Sequence, residues 1–213
     1  MKLSVFDLDH TLVQGNSSYQ FCRYLIRRKA LPISSLFYSA ACYLKHHFYG
    51  MSLFDMHQNI FNKFLIGRSL DFIEKHVEIF VEQYLPHALY MPAVAELKLA
   101  QHLGHHTVIL SNSPSFVVGA IAKFLGVKEW AATEYGVDKD QRLYKISSVM
   151  QGEEKASFVR QFSKHMGIKK EDITAYSDSH LDLPFLLSAG NAVAVNPNRK
   201  LHKLSQKKHW KVI

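Results

Sequence analysis

The segment Phe6-Asp7-Leu8-Asp9-His10-Thr11-Leu12 follows the apolar run Leu3-Ser4-Val5-Phe6 and sets two carboxylates one residue apart, where a short buried strand runs out. Side chains at i and i+2 of a strand share a face, so Asp7 and Asp9 are expected to lie close together. Adjacent carboxylates repel unless a proton is shared or a divalent cation offsets their charge. Three later segments carry compatible chemistry. Leu110-Ser111-Asn112-Ser113 offers hydroxyl and amide donors, and Lys155, just after Gln151-Gly152, offers a cation. Tyr176-Ser177-Asp178-Ser179-His180-Leu181-Asp182 adds a second carboxylate pair. Acids at two strand ends can hold a hard cation such as Mg2+ through oxygen ligands. Ser111 and Lys155 would then meet phosphate oxygens, and phosphoryl transfer needs little beyond such positioning and charge neutralisation. Each segment alone also fits a plainer role, such as a turn serine or an acid at a helix N-terminus. Their combination points to a site.

These segments need a scaffold that brings strand ends together. From Ala93 onward the chain alternates helical and strand-like stretches. Ala93 to Leu103 reads as a helix opened by Pro92 and closed by Gly104, before the strand Thr107 to Leu110. Helices follow at about Ser115 to Leu125, Glu153 to Met166 and Leu181 to Ala189, each ended by glycine. Further apolar strands are expected at Ile173 to Tyr176 and Ala192 to Val195. Short, almost wholly apolar strands fit a parallel sheet covered on both faces. Trp130 to Tyr144 reads as a hairpin excursion around Asp138-Lys139-Asp140. The expected fold is α/β, a Rossmann-like doubly wound parallel sheet.

Between the first strand and Ala93 the pattern is helical: Ser17 to Arg28, Ile33 to His47, Ser52 to Leu65 and Leu70 to Tyr84. The expected division is a core of residues 1–14 and 90–213 with a helical cap of 15–89 lying over the strand ends, where open α/β sheets bind ligands. The aromatics Tyr19, Phe21, Tyr24, Phe37, Tyr38, Phe48, Phe54, Phe61 and Phe64 are expected mostly in the core of that bundle.

The 213 residues carry 47% hydrophobic and 21% charged side chains, which excludes disorder and suits an ordinary globular protein. Cys22 and Cys42 form no metal-ligand spacing and no disulfide framework. With a strand starting at once and no cleavable signal, the expected location is cytoplasmic. The apolar stretch Leu31 to Leu44 falls short of the roughly 20 residues that cross a bilayer. Continued by Lys45-His46-His47-Phe48-Tyr49, it is expected as an amphipathic helix of the cap, with peripheral membrane contact as the other reading. The net charge of +8 suits anionic partners. Its densest cluster, Arg199 to Lys211, comes with no nucleic-acid motif, so no nucleic acid is expected. His102, His105 and His106 read as surface residues. Ser111 lacks the Gly-x-Ser-x-Gly elbow of a hydrolase nucleophile.

On its four segments, in order and over nearly the whole chain, the sequence resembles the haloacid dehalogenase-like phosphohydrolases, in the branch with a helical cap after the first strand that includes phosphoserine phosphatases. The resemblance implies a Mg2+-dependent phosphomonoester phosphatase. It makes Asp7 the nucleophile that forms an aspartyl-phosphate, and Asp9 the acid/base whose backbone carbonyl also meets the metal. Thr11, Ser111 and Asn112 would bind phosphate, the last through its N–H, and Lys155 would offset charge. Asp178 would ligate the metal, supported by Ser179 and Asp182. Phosphoserine-specific members carry a glutamate where Asn16 stands here, and serine-glycine where Ser111-Asn112 stands. The implied partner is a small phosphorylated metabolite or, by likeness to phosphatidylglycerophosphate phosphatases, a phospholipid headgroup phosphate met by Arg27 and Arg28. A non-enzymatic membrane-surface protein is the contrasting reading, resting on Leu31 to Tyr49 alone.

Overall fold

All 213 residues are described by a computed structural model. The chain begins with β1 (Leu3–Asp7), then four helices: α1 (Ser17–Arg27), α2 (Ser34–Tyr49), α3 (Leu53–Phe64) and α4 (Leu70–Ala88). After them come α5 (Met91–His102), β2 (His106–Pro114), α6 (Ser115–Leu125), β3 (Glu129–Val137) and β4 (Leu143–Ser148). The remainder is α7 (Gly152–Met166), β5 (Ile173–Ser177), α8 (Leu183–Ser188), β6 (Asn191–Ala194), α9 (Arg199–Lys208) and β7 (Lys211–Val212). The strands form one seven-stranded sheet in the order β4-β3-β2-β1-β5-β6-β7, parallel except for the antiparallel β3–β4 pair.

Strand pleating explains the two-faced core. Leu3, Val5, Val108, Leu110 and Ala175 point to one face and pack beneath α7 and α8 with Val159, Phe185 and Leu186. Phe6, Ile109, Tyr176 and Val193 point to the other, against Val117, Ile121 and Leu97 of α6 and α5. Phe6 and Tyr176 stack with centroids 4.1 Å apart. Each such fully buried aliphatic or aromatic side chain contributes about 1.5–3 kcal/mol.

The hairpin expected at Trp130 to Tyr144 exists, but it is no excursion. β3 pairs with β2 at Glu129 to Ala132 before turning antiparallel to β4, so the hairpin is the edge of the main sheet. Its turn is held by Asp138, whose Oδ1 accepts from the N–H groups of Asp140 and Arg142 at 2.9 Å. The expected helix at Leu181 to Ala189 is split into a 3-10 turn at His180–Asp182 and the six-residue α8.

Main-chain hydrogen bonds tie the helical insertion to the rest of the fold at two places. The outgoing and returning chains pair with each other: Gln14 N–H donates to Ala88 O at 2.6 Å and Tyr90 N–H to Leu12 O at 2.9 Å. Farther out, the α3–α4 link grips the hairpin turn. Gly67 N–H donates to Leu143 O at 2.7 Å, Leu143 N–H to Arg68 O at 2.8 Å and Leu70 N–H to Gln141 O at 2.9 Å. Phe61 packs on Tyr135 of β3, and the Tyr135 hydroxyl meets His57 Nδ1 at 3.1 Å.

The bundle interior corrects the expectation for its aromatics. Phe21 and Phe61 are buried, and Tyr24, Tyr38 and Phe64 are half-buried. Tyr19, Phe37, Phe48 and Phe54 lie exposed. Helix α2 is turned so that only Ser35 and Cys42 are buried along its length. No helix is long and apolar enough to cross a membrane.

Candidate active site at the carboxyl ends of the strands

Sheet order decides where the candidate residues meet. From β1 the chain steps outward to β2 and β3, then returns to β5 on the other side of β1. The crevice beyond the carboxyl ends of β1 and β5 is therefore a topological switch point, the usual ligand site of open α/β sheets. Asp7 is the last residue of β1, Ser111 and Asn112 lie near the end of β2, and Asp178 directly follows β5.

The turn after β1 is built by its own backbone. Leu8 O accepts from the N–H groups of Thr11, Leu12 and Val13 at 3.3, 2.9 and 3.0 Å, while His10 takes the left-handed φ of 60°. Strand pairing thus stops at Asp7, and a tight turn rather than the pleat carries Asp9. The two carboxylates share no hydrogen-bond partner.

Asp7 is matched by charge. Its Oδ1 receives the Lys155 ammonium at 2.7 Å, and Thr11 Oγ donates to its Oδ2 at a long 3.5 Å. Lys155, 3% exposed, also donates to Asp182 Oδ2 at 2.8 Å. Its position depends on close packing at the start of α7, because a Cβ on Gly152 would collide with the Leu181 carbonyl oxygen. Burial holds the Asp7 carboxyl well above the ordinary range; Lys155 opposes this, while Asp182 and Asp178 add to it. Burial also works against the Lys155 ammonium, but Asp182 and Asp7 outweigh it and hold its pKa above the ordinary lysine value. Burial lifts the Asp178 carboxyl to about 6, with His10 pulling it down and Asp182 pushing it up.

Asp9 is matched by hydrogen bonds instead. Its Oδ1 accepts the Ser17 N–H at 2.6 Å, at the start of α1, where the helix dipole favours an anion. Its Oδ2 accepts from Ser113 Oγ at 2.5 Å and, more weakly, from Ser111 Oγ at 3.4 Å. Ser17 and Ser18 hydroxyls reach Ser113 Oγ at 3.1 and 2.5 Å.

Ser111 and Asn112 sit where β2 shifts register against β3, an irregularity of the kind that re-aims side chains beside active sites. The Asn112 carbonyl is fixed by Thr133 Oγ at 2.7 Å. Ser179 caps the following turn by accepting Leu181 N–H at 3.2 Å, and Asn198 Nδ2 donates to its Oγ at 3.3 Å. No group of three or more His, Cys, Asp or Glu side chains is arranged as a metal cage.

Residues to which the sequence assigned no role of their own complete the network. Ser113 and Ser17 hold Asp9, and Ser177 donates to Asp182 Oδ2 at 2.8 Å. Ser113 and Ser177 stood within segments already singled out for their chemistry, whereas Ser17 carried no signal. Asn16 caps α1 by accepting Tyr19 N–H at 2.8 Å, which gives that position a structural task, stabilising by about 1 kcal/mol. The histidines expected at the surface divide: His102 is exposed, whereas His105 and His106 are half-buried and His105 meets Ser4 at 3.0 Å.

A sequence profile for the family described as haloacid dehalogenase-like hydrolase matches residues 4–187. A probable phosphatase of Mycobacterium tuberculosis is 35% identical over 126 residues, which span 59% of this chain and 44% of that protein. The chain thus covers less than half the length of that relative. A histidinol-phosphatase of Neisseria meningitidis is 24% identical over 222 residues, spanning 99% of this chain and 97% of its own. A phosphoserine phosphatase solved as a phospho-aspartyl intermediate analogue superimposes with a TM-score of 0.69 at 17% identity, over 99% of this chain and 91% of that one, a likeness of fold.

Proposed function

The chain belongs to the haloacid dehalogenase-like hydrolases, and on that premise we propose that it is a phosphomonoester phosphatase working through an aspartyl-phosphate on Asp7. The observation that carries this reading is the division of labour between two nearby acids. Asp7 faces the Lys155 ammonium, and its carboxyl, held above the ordinary range by burial, would be ionised by a bound dication, as suits a nucleophile, whereas Asp9 is held in place by an N–H and hydroxyls.

In the first half-reaction an Asp7 carboxylate oxygen attacks phosphorus and the ester P–O bond breaks. The leaving oxygen takes its proton from Asp9. In the second, Asp9 takes a proton from water, the resulting hydroxide attacks phosphorus, and the acyl-phosphate P–O bond breaks to release inorganic phosphate and restore Asp7. Lys155 neutralises the Asp7 side of the phosphoryl group, and Ser111 Oγ with the Asn112 N–H would bind its oxygens, with Thr11 beside Asp7. Ser113 and Ser17 orient the Asp9 carboxylate throughout.

The donor set fits Mg2+. Asp7 and Asp182 share the Lys155 ammonium and Asp178 lies near enough to act on both, so with all three carboxylates ionised two negative charges would be left for a dication to offset. Asp7, Asp178 and the Asp9 main-chain carbonyl would be its oxygen ligands, with Ser179 and Asp182 in support. When bound, Mg2+ draws charge from the phosphoryl oxygens.

Residues 15–89 act as the cap over a core of 1–14 and 90–213 in this reading. The substrate is a small phosphorylated metabolite. Histidinol phosphate leads because that likeness spans nearly the full length of both chains, and phosphoserine is disfavoured because Asn16 replaces the ammonium-binding glutamate and is itself committed to a helix cap. A phospholipid headgroup phosphate is the second reading, favoured by the exposed Arg27 and Arg28.

The test is a hydrolysis screen with and without Mg2+ over phosphoserine, histidinol phosphate, sugar phosphates, nucleotides and micellar phospholipid phosphates. Asp7→Asn should lower turnover at least ~1000-fold on every active ester. Wild-type rates in that variant would overturn the nucleophile assignment.

A further inference from the structure

Helix α2 carries its apolar residues on the wrong side for a bundle. Its buried residues are Ser35 and Cys42, while Phe37, Leu44 and Phe48 are 69%, 51% and 70% exposed. Ile33, just before the helix, is 64% exposed. Spaced at 33, 37, 40, 44 and 48 with exposed Ala40, these residues fall along one helical stripe. Tyr43 and Tyr49, 57% and 84% exposed, flank it.

The charge around this stripe has one sign. From His10 to Phe54 the chain holds no aspartate or glutamate. Arg27, Arg28 and Lys29 are exposed at the corner that leads into α2, and Lys45 is exposed near its far end. The first acid beyond it, Asp55, is exposed and engaged by Ser52 Oγ at 2.7 Å. We propose that the outward face of α2, with Arg27, Arg28, Lys29 and Lys45 at its two ends, docks onto an anionic phospholipid bilayer surface.

Two observations favour a bilayer over a second copy of the chain. A two-fold contact sets the same patch against itself, and this patch has no acid to meet its own lysine and arginines. The area is also wrong. A 16-residue helix is about 24 Å long and about 10 Å wide, so its face covers about 240 Å², against about 800 Å² per partner in a stable complex. A bilayer needs no matching partner surface: aliphatic and aromatic side chains enter the headgroup region, and each basic residue near an anionic leaflet strengthens binding about fivefold.

The inference does not depend on the phosphatase chemistry, because it is read without substrate. Intact protein is floated with vesicles of phosphatidylcholine alone and of phosphatidylcholine with phosphatidylglycerol. The wild-type chain, and equally Asp7→Asn, should float with the anionic vesicles only, and added salt should release it. The double variant Phe37→Ser/Phe48→Ser should lose at least about tenfold in partitioning, and Lys45→Glu about twentyfold. Unchanged thermal unfolding in both variants would show that they remain folded. The proposal is overturned if wild-type protein stays unbound with anionic vesicles, or if neither variant weakens binding. A wild-type dimer in sedimentation velocity that the double variant dissolves would assign the face to a second copy instead.

Discussion

At the carboxyl edge of the sheet, Asp7, Asp9, Lys155 and Asp182 lie inside and each has a partner; on α2, apolar groups lie outside and stay unburied. Lys155 is 3% exposed and sits within 2.8 Å of two carboxylates, whereas Phe48 is 70% exposed on a helix whose buried face holds a serine and a cysteine. Both regions depart from the ordinary partition of polar out and apolar in. A buried charge cluster costs solvation unless matched, and an exposed apolar stripe leaves burial unrealised. Neither arrangement stabilises the fold better than a conventional one would. The contrast teaches that this chain departs from that partition in two places, one suited to chemistry and one suited to contact.

The sharpest way to break the comparison is to unmatch the inside. Lys155→Met leaves Asp7 and Asp182 buried without their cation, and should destabilise the protein by about 3 kcal/mol in urea unfolding. Turnover should fall at least ~1000-fold. A variant that stays as stable as wild type would show that the charges at this edge are not interdependent.

A pair of equal truncations contrasts the two kinds of apolar position. Phe61→Ala removes a ring that is 0% exposed and packed on Tyr135, and should cost about 3–5 kcal/mol. Phe37→Ala removes a ring that is 69% exposed, and should change stability by no more than about 0.5 kcal/mol. Similar costs at both positions would mean that α2 is packed more deeply than its exposure indicates.

The smallest effect concerns His57, which joins α3 to the hairpin. Burial, with His46 adding, pulls its pKa down to about 4, below the ordinary value of 6.5. The unfolded chain therefore binds more protons between those values, and stability is complete above about pH 6.5 and falls as the pH drops toward 4. Because His57 is only half-buried, the loss between pH 7 and pH 5 should be about 1 kcal/mol. His57→Gln should flatten that slope in denaturant melts at the two pH values.

Much of the sheet was legible because its strands are short and apolar on both faces: Val5-Phe6 and Val108-Ile109-Leu110 can only be interior. The terminal α9 and β7 were not set out as elements, because Lys207, Lys208 and Lys211 mask the single buried edge formed by Leu201 and Ser205. In the site, residues with a distinctive charge were readable, and Asp7, Lys155 and Asp182 do come together. Ser17, Ser113 and Ser177 were not, since a serine carries no signal of its partner until the fold sets one beside it. The turn that carries Asp9 was not legible, because nothing in the sequence marks that the strand ends at Asp7. For α2, periodicity located a helix but not which side faces inward, which the neighbouring helices decide.

The main-chain bonds by which Gly67, Arg68 and Leu70 hold Gln141 and Leu143 give the insertion a second fulcrum. A cover joined only through the paired chains at Leu12 to Gln14 and Ala88 to Tyr90 could swing freely about that ribbon. With its far end bonded to the hairpin, and with Phe21 packed near Phe116 and Ser17 bonded to Ser113 between, it is held at both ends and along its length. Any wide opening must carry the edge hairpin along or part these bonds, so that under the proposed reaction access to the strand ends would be geared to the sheet's outermost strand.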